Sequence, residues 1–150
     1  MENFLGTNQV TQIAIIVKNI EVAAKKYADF LGLAMPDIIT TSGYEHSKTE
    51  YRGQKCDATA KLAFLKIGDG IDLELIEPDG KPSVWQEHLE KYGEGVHHIA
   101  FNIKDTQAKI EKAEANDMPL IQKGEYEGGR YAYFDATESL KLCIETLEND

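Results

Sequence analysis

Gln12-Ile13-Ala14-Ile15-Ile16-Val17-Lys18-Asn19 and His98-Ile99-Ala100-Phe101-Asn102-Ile103-Lys104-Asp105 repeat one pattern in two parts of the chain. Each is an apolar run with a small residue, Ala14 or Ala100, two places after its first member, and each precedes a segment of helical spacing. Each also opens on a side chain able to bind a metal, Gln12 in the first and His98 in the second. A second pair of strands closes the repeats: Leu73-Glu74-Leu75 and Ile144-Glu145-Thr146 set an acid within apolar residues. Duplication of this kind predicts two equivalent halves, each contributing the same number of polar groups to whatever lies between them.

Working outward, segment 10–17 reads as a buried strand. Asn19 can cap a helix that carries Val22, Ala23, Tyr27, Phe30 and Leu31 at helical spacing and ends at Gly32. Residues 34–60 are polar, contain Ser42-Gly43, and read as a loop or irregular strand. Lys61–Ile67 and Ile71–Glu77 are two strands joined by Gly68-Asp69-Gly70, a hairpin signal. Pro78-Asp79-Gly80 and Pro82 punctuate a connector, with a short helix over Ser83–Tyr92. The second half repeats the order: strand Val96–Ile103, a helix capped by Asp105 and running to Asn116, strand Pro119–Lys123, loop Gly124–Gly129, and strands Arg130–Asp135 and Leu140–Leu147.

The expected fold is therefore α+β and a single domain over 1–150. Two tandem βαβββ modules, about 8–78 and about 95–148 with a connector about 79–94, form a U-shaped mixed sheet around a metal-containing cleft. Strand alternation selects what enters that cleft. Gln12 shares a face with Ala14 and Ile16, Glu74 with Asp72 and Ile76, His98 with Val96, Ala100 and Asn102, and Glu145 with Cys143 and Leu147. Alternation sends His97 to the other face, which makes His98 the preferred nitrogen ligand.

Composition narrows the function. The chain has 150 residues, 42% hydrophobic and 28% charged, the balance of a globular protein able to bury a core. No apolar run approaches the roughly 20 residues of a membrane span. The start, Met1-Glu2-Asn3-Phe4-Leu5, has no basic, apolar signal pattern, so a cytoplasmic location is expected. Cys56 and Cys143 form no CxxC spacing and read as two reduced thiols. A net charge of −10 disfavours nucleic acid. It leaves room for a small anionic substrate held by a local basic stretch such as Lys48, Arg52, Lys55, Lys61 and Lys66.

Taken singly, a histidine in an apolar strand is usually a hydrogen-bonded core residue, and a glutamate near a strand end an exposed charge. Together at repeat-equivalent places, Gln12, Glu74, His98 and Glu145 read as a ligand set. Two buried glutamates without cations would protonate or seek partners at a cost of several kcal/mol each. Three oxygen donors and one imidazole suit one divalent ion (Mg, Mn, Co, Ni or Zn) with positions left open for substrate.

The stretch Gly93-Glu94-Gly95-Val96-His97-His98-Ile99-Ala100-Phe101, together with Leu73-Glu74-Leu75-Ile76-Glu77-Pro78 and Ser83–Tyr92, resembles the epimerase branch of the vicinal-oxygen-chelate superfamily. That superfamily contains glyoxalase I, methylmalonyl-CoA epimerase, extradiol dioxygenases and bleomycin-resistance proteins, and the resemblance runs from about Val10 to Leu147. It implies metal ligands at Gln12, Glu74, His98 and Glu145, with Glu145 also serving as catalytic base. It sets a second acid/base near Lys61, and it implies a homodimer. Epimerases usually carry histidine where Gln12 stands. Gln, Glu, His and Glu together are similar to the zinc-type glyoxalase I set. Glyoxalase I, however, has an arginine four residues on to hold a glutathione carboxylate, and this chain has Ile16 there. The expected activity is a metal-dependent isomerase or epimerase that removes a proton next to a carbonyl, with a carboxylated acyl-CoA such as methylmalonyl-CoA as substrate. The alternatives are a glyoxalase-like lyase on another thiol adduct, or a non-catalytic drug-binding module. Gln12 in place of histidine argues against iron dioxygenase chemistry.

Overall fold

The two repeats meet along their first strands. In a computed structural model describing residues 3–150, β1 (Val10–Ile16) pairs antiparallel with β7 (Gly95–Asn102). On one side of this seam follow β6 (Asp72–Pro78), β5 (Ala60–Lys66) and β2 (Ile38–Thr40). On the other follow β10 (Leu142–Asn149), β9 (Gly129–Ala136) and β8 (Leu120–Tyr126). Parallel pairing occurs at the same place in both halves, β1 with β6 and β10 with β7. The mixed sheet curls into a half-barrel.

Two helices cover the convex face. α1 (Ile20–Leu31) starts where the Asn19 side chain accepts from the Val22 N–H, and it ends at Gly32, whose φ of 68° closes the last turn. It buries Ile20, Ala24 and Ala28 against Ala63, Leu65, Leu73 and Leu75. α4 (Thr106–Ala115) starts at Asp105, which accepts from the Ala108 N–H, and buries Ile110 and Ala113 against Phe101, Ala132, Phe134 and Ile144. Both caps fall on the residues that the sequence marks for them.

The concave face is where the structure departs from an open hollow. The connector folds as α3 (Val84–Tyr92), with Ser83 accepting from the Gln86 N–H. It lies against the inner face of the sheet. Val84 and Trp85 share one buried cluster with Ala14, Ile16, Ala60, Ile76, Ile121, Tyr133 and Cys143. The Trp85 indole donates to the Tyr133 hydroxyl (3.2 Å), and the Gln122 side-chain oxygen accepts from the Val84 N–H (2.9 Å). Part of the cleft is thus filled by the chain itself.

Residues 34–60, read as loop or irregular strand, contain β2, a single-turn α2 (Tyr44–Ser47), β3 (Glu50–Tyr51) and β4 (Gln54–Lys55). β2 stays at the edge of its own half, but β3 pairs with β8 of the other half. Residues 41–59 therefore form a strap across the mouth of the U. A strand edge explains this: β8 would otherwise present unpaired backbone groups, and the β3–β4 hairpin covers them. Arg52 and Gly53, both at positive φ (51° and 78°), make the tight turn such a hairpin needs. The strap also explains a misread segment. Gly124 was expected in a loop, yet β8 runs on to Tyr126. A side chain at Gly124 would lie 2.7 Å from the Thr49 hydroxyl and 2.8 Å from that of Tyr131, so glycine there admits the strap rather than breaking the strand.

Among the described residues no helix is long and apolar enough to cross a membrane. Because Trp85 joins α3 to both halves of the sheet, Trp85→Ala is expected to destabilise the fold by about 3–5 kcal/mol. Urea unfolding measures this as a lower midpoint at an unchanged slope.

Candidate metal centre

The register of the sheet alternates polar and small residues across its centre. Ala14 pairs with Glu74 on one side and His98 on the other, while Ala100 pairs with Gln12 and Glu145. Both alanines are fully buried. A methyl group between two long side chains leaves the space in which they can converge, and a leucine in either place would occupy it.

Three of those side chains do converge. A nitrogen of His98 and a carboxylate oxygen from each of Glu74 and Glu145 all lie within 4.8 Å of one another. His98 Nε2 is 2.9 Å from Glu145 Oε2 and 3.5 Å from Glu74 Oε2. All three residues are buried, and these same three atoms lack a hydrogen-bond partner of good geometry. Leaving three polar atoms in this condition is costly unless something else meets them. One imidazole nitrogen and two carboxylate oxygens are a donor set that a divalent cation satisfies. The residues present therefore fit a metal. Gln12 stands half-buried one row away on the same face, with Asp72 and Ala100 as its register partners.

Electrostatics reflect the crowding. Burial raises the pKa of Glu74 most, with the Glu145 charge adding to it and His98 opposing. Burial works against a charged His98, but the two carboxylates outweigh it and push the imidazole up to about 9. Without a cation the cluster holds protons in its place.

Tandem histidines provide a correction. Alternation assigns His97 to the convex face, yet it is buried and packs on the inner side against Tyr133 and His88. The cause is a register shift. Ala14 pairs with His98 while Ile15 pairs with Val96, so His97 is the extra residue of a β-bulge. His97 Nδ1 ends 2.9 Å from His98 Nδ1.

Lys61 provides a second correction. It is exposed on the convex face, 3.4 Å from Glu77 and 3.7 Å from Glu21 of α1. The one-residue alternation that buries Ala60 and half-buries Leu62 in the concave cluster turns Lys61 outward. Arg52 and Lys66 of the basic stretch are likewise ion-paired within the fold. Arg52 binds Glu87 at 2.6 Å and Lys66 binds Asp72 at 2.8 Å, while Lys48 and Lys55 gather over the Tyr44 ring. Arg130 pairs with Glu148 and Asp150.

Residues beside the site that the sequence reading passed over are Trp85, His88, Gln122 and Tyr133. Val84, Trp85 and His88 fall at helical spacing, a legible inward stripe. Tyr133 sits directly opposite Glu145 in β9, a position that needs the register to be known.

A pH dependence follows. His98 is raised above its unfolded value of 6.5, so the stability it contributes is present below about pH 6.5 and is lost as pH rises through about 9. Glu74, also raised, acts in the same direction. The metal-free protein should therefore lose stability from about pH 6.5 to 9, and the His98→Gln variant should lack most of that slope. Metal uptake should tighten over the same interval, because a ligand imidazole must be unprotonated. Thermal melts and metal titrations across pH check both.

Known proteins share this fold. The family model described as the Glyoxalase/Bleomycin resistance protein/Dioxygenase superfamily matches residues 11–134. Among curated proteins, YqjC of Bacillus subtilis is 29% identical over 144 residues, covering 94% of this chain and 92% of its own. A 2-epi-5-epi-valiolone epimerase of Actinomyces sp. is 24% identical over 149 residues, covering 95% and 81%. Among solved structures, methylmalonyl-CoA epimerase of Mycobacterium tuberculosis superposes with a TM-score of 0.63 at 20% identity, covering 100% and 92% of the two chains. A variant of the Streptomyces coelicolor methylmalonyl-CoA epimerase, in complex with 2-nitronate-propionyl-CoA, gives 0.64 at 22%, covering 93% of each. Likeness of the solved structures at these identities concerns the fold, but the family model covers most of the chain, with Glu74 and His98 of the cluster inside it, and on that ground the chain belongs to the glyoxalase/bleomycin resistance/dioxygenase superfamily.

Proposed function

We propose that this protein is a metal-dependent epimerase or isomerase that removes and returns a proton on a carbon next to a carbonyl. The observation that carries the reading is the trio of buried, partnerless atoms on Glu74, His98 and Glu145. Glu74, His98 and Glu145 would hold one divalent ion with Gln12 as a further donor, and the ion would supply Lewis-acid stabilisation of negative charge building on the substrate oxygen. The ion's identity is left among Mg, Mn, Co, Ni and Zn.

Glu145 accepts the proton at its carboxylate. It is buried, opposite Tyr133 in β9 and 2.9 Å from His98 Nε2. Proton return needs a second group, and Lys61 is unsuited because it lies outside the cleft in ion pairs. The other carboxylate of the cluster, Glu74, comes from the opposite repeat, and it would have to leave the ion to serve there.

An acyl thioester carrying a second carboxylate offers two oxygens for chelation and an acidified C–H between them, which makes it the leading substrate class. A compact carbon acid without a nucleotide is the second reading. The pairing of Arg52, Lys61, Lys66 and Arg130 within the fold favours it, since it engages both arginines and two of the lysines away from coenzyme A phosphates.

Proton exchange in D2O, followed by NMR, separates these. The probes are methylmalonyl-CoA and the same acyl group on a truncated, phosphate-free thiol. Glu145→Gln should cut exchange by about 10²–10⁴, whereas Lys61→Ala should leave it unchanged. Exchange that persists in Glu145→Gln removes that residue from the mechanism. Equal rates with the truncated thioester support the compact class.

A further inference from the structure

We infer that His97 is a positioning residue. Its Nδ1 accepts a hydrogen bond from His98 Nδ1–H and so fixes the tautomer in which His98 Nε2 can bind a metal. The inference rests on the metal-centre reading and deepens it.

The geometry begins with the bulge. One extra residue in β7 turns two consecutive side chains to the same face, and their Nδ1 atoms come within 2.9 Å with the rings near perpendicular (84°). A pair of imidazole nitrogens at this distance shares one hydrogen, and only one of the two can be donor. The direction follows from the other end of His98. Its Nε2 faces Glu74 and Glu145, and a nitrogen that lends its lone pair to a cation carries no hydrogen. A neutral imidazole then carries its hydrogen on Nδ1, and the atom waiting there is His97 Nδ1.

His97 is held for this task. It is 2% exposed, with its ring between His88 (5.0 Å between centroids) and Tyr133 (5.6 Å). α3 therefore reaches the metal ligand through His88 and His97. The second ring nitrogen of His97 has no partner among the described residues, so the His98 contact is the one that orients the ring.

A purely structural His97 would be replaced best by a ring of similar size and worst by a smaller polar side chain. A positioning His97 reverses that order. Asparagine carries an oxygen where Nδ1 stands, and phenylalanine keeps the ring but has no acceptor. The probe is Co2+, titrated against a competing chelator and followed by its visible absorption, with melting curves as the check on folding.

The expected result is that His97→Phe weakens Co2+ binding about 10–100-fold and His97→Asn stays near the parent. Equal affinities of His97→Phe and parent, or His97→Asn as weak as His97→Phe, overturn the inference and leave the metal centre standing. A parent that takes up no Co2+ overturns both. Should either variant fail to fold, nitrogen NMR of the Zn2+-loaded parent decides. His98 protonated at Nδ1 with His97 protonated at Nε2 supports the assignment, and a hydrogen on His97 Nδ1 sinks it.

Discussion

Two carboxylates and an imidazole share a space closed to water, and much of the structure is arranged around that fact. Glu74 and Glu145 come from opposite repeats and meet beside His98 at distances that bring their charges into direct contact. Desolvation of this order is tolerated only where opposite charge or a proton is supplied. Without metal, the raised His98 and Glu74 supply the proton. With metal, the ion takes its place. Either way the cluster stays electrically answered, and the small residues around it, Ala14 and Ala100, are what leave it room.

Closing the half-barrel solves a different problem. Two βαβββ modules joined through their first strands expose a broad apolar inner face and two free edges. α3 covers the face with Val84 and Trp85, and the strap at 41–59 covers the β8 edge. The two closures are tied together. Tyr51 and Arg52 of the strap both bind Glu87 of α3, and the Cys56 thiol donates to the Pro82 carbonyl. The cavity that remains beside α3 is lined by His88 and Tyr92 of that helix and by His97, the neighbour of His98. The clustered polar residues sit on the duplicated strands, and the closures come from the unduplicated connections.

That division matches what a family of this kind needs. Polar groups at register-equivalent places keep a spacing set by the sheet, whereas loops can vary without moving them. The internal pairing of Arg52, Lys61, Lys66 and Arg130 illustrates the second half of the statement. Three members of a basic stretch in sequence, Arg52, Lys61 and Lys66, became local ion pairs in the fold.

Duplication was the most legible element. The repeat of Gln12–Asn19 in His98–Asp105 carried the two-module architecture, the helix caps at Asn19 and Asp105, and the equivalence of Glu74 with Glu145, because period-two alternation and capping are local properties of the chain. Three features needed the folded molecule. The inward turn of His97 depends on a bulge, a mismatch between two strands that neither strand encodes alone. The outward turn of Lys61 depends on which face of β5 meets α1, a matter of packing. The strap depends on an edge of β8 that exists only once the second half has folded. Local chemistry wrote the strands and their polar residues; pairing between distant strands, where one residue of register reverses a face, decided which of those residues meet.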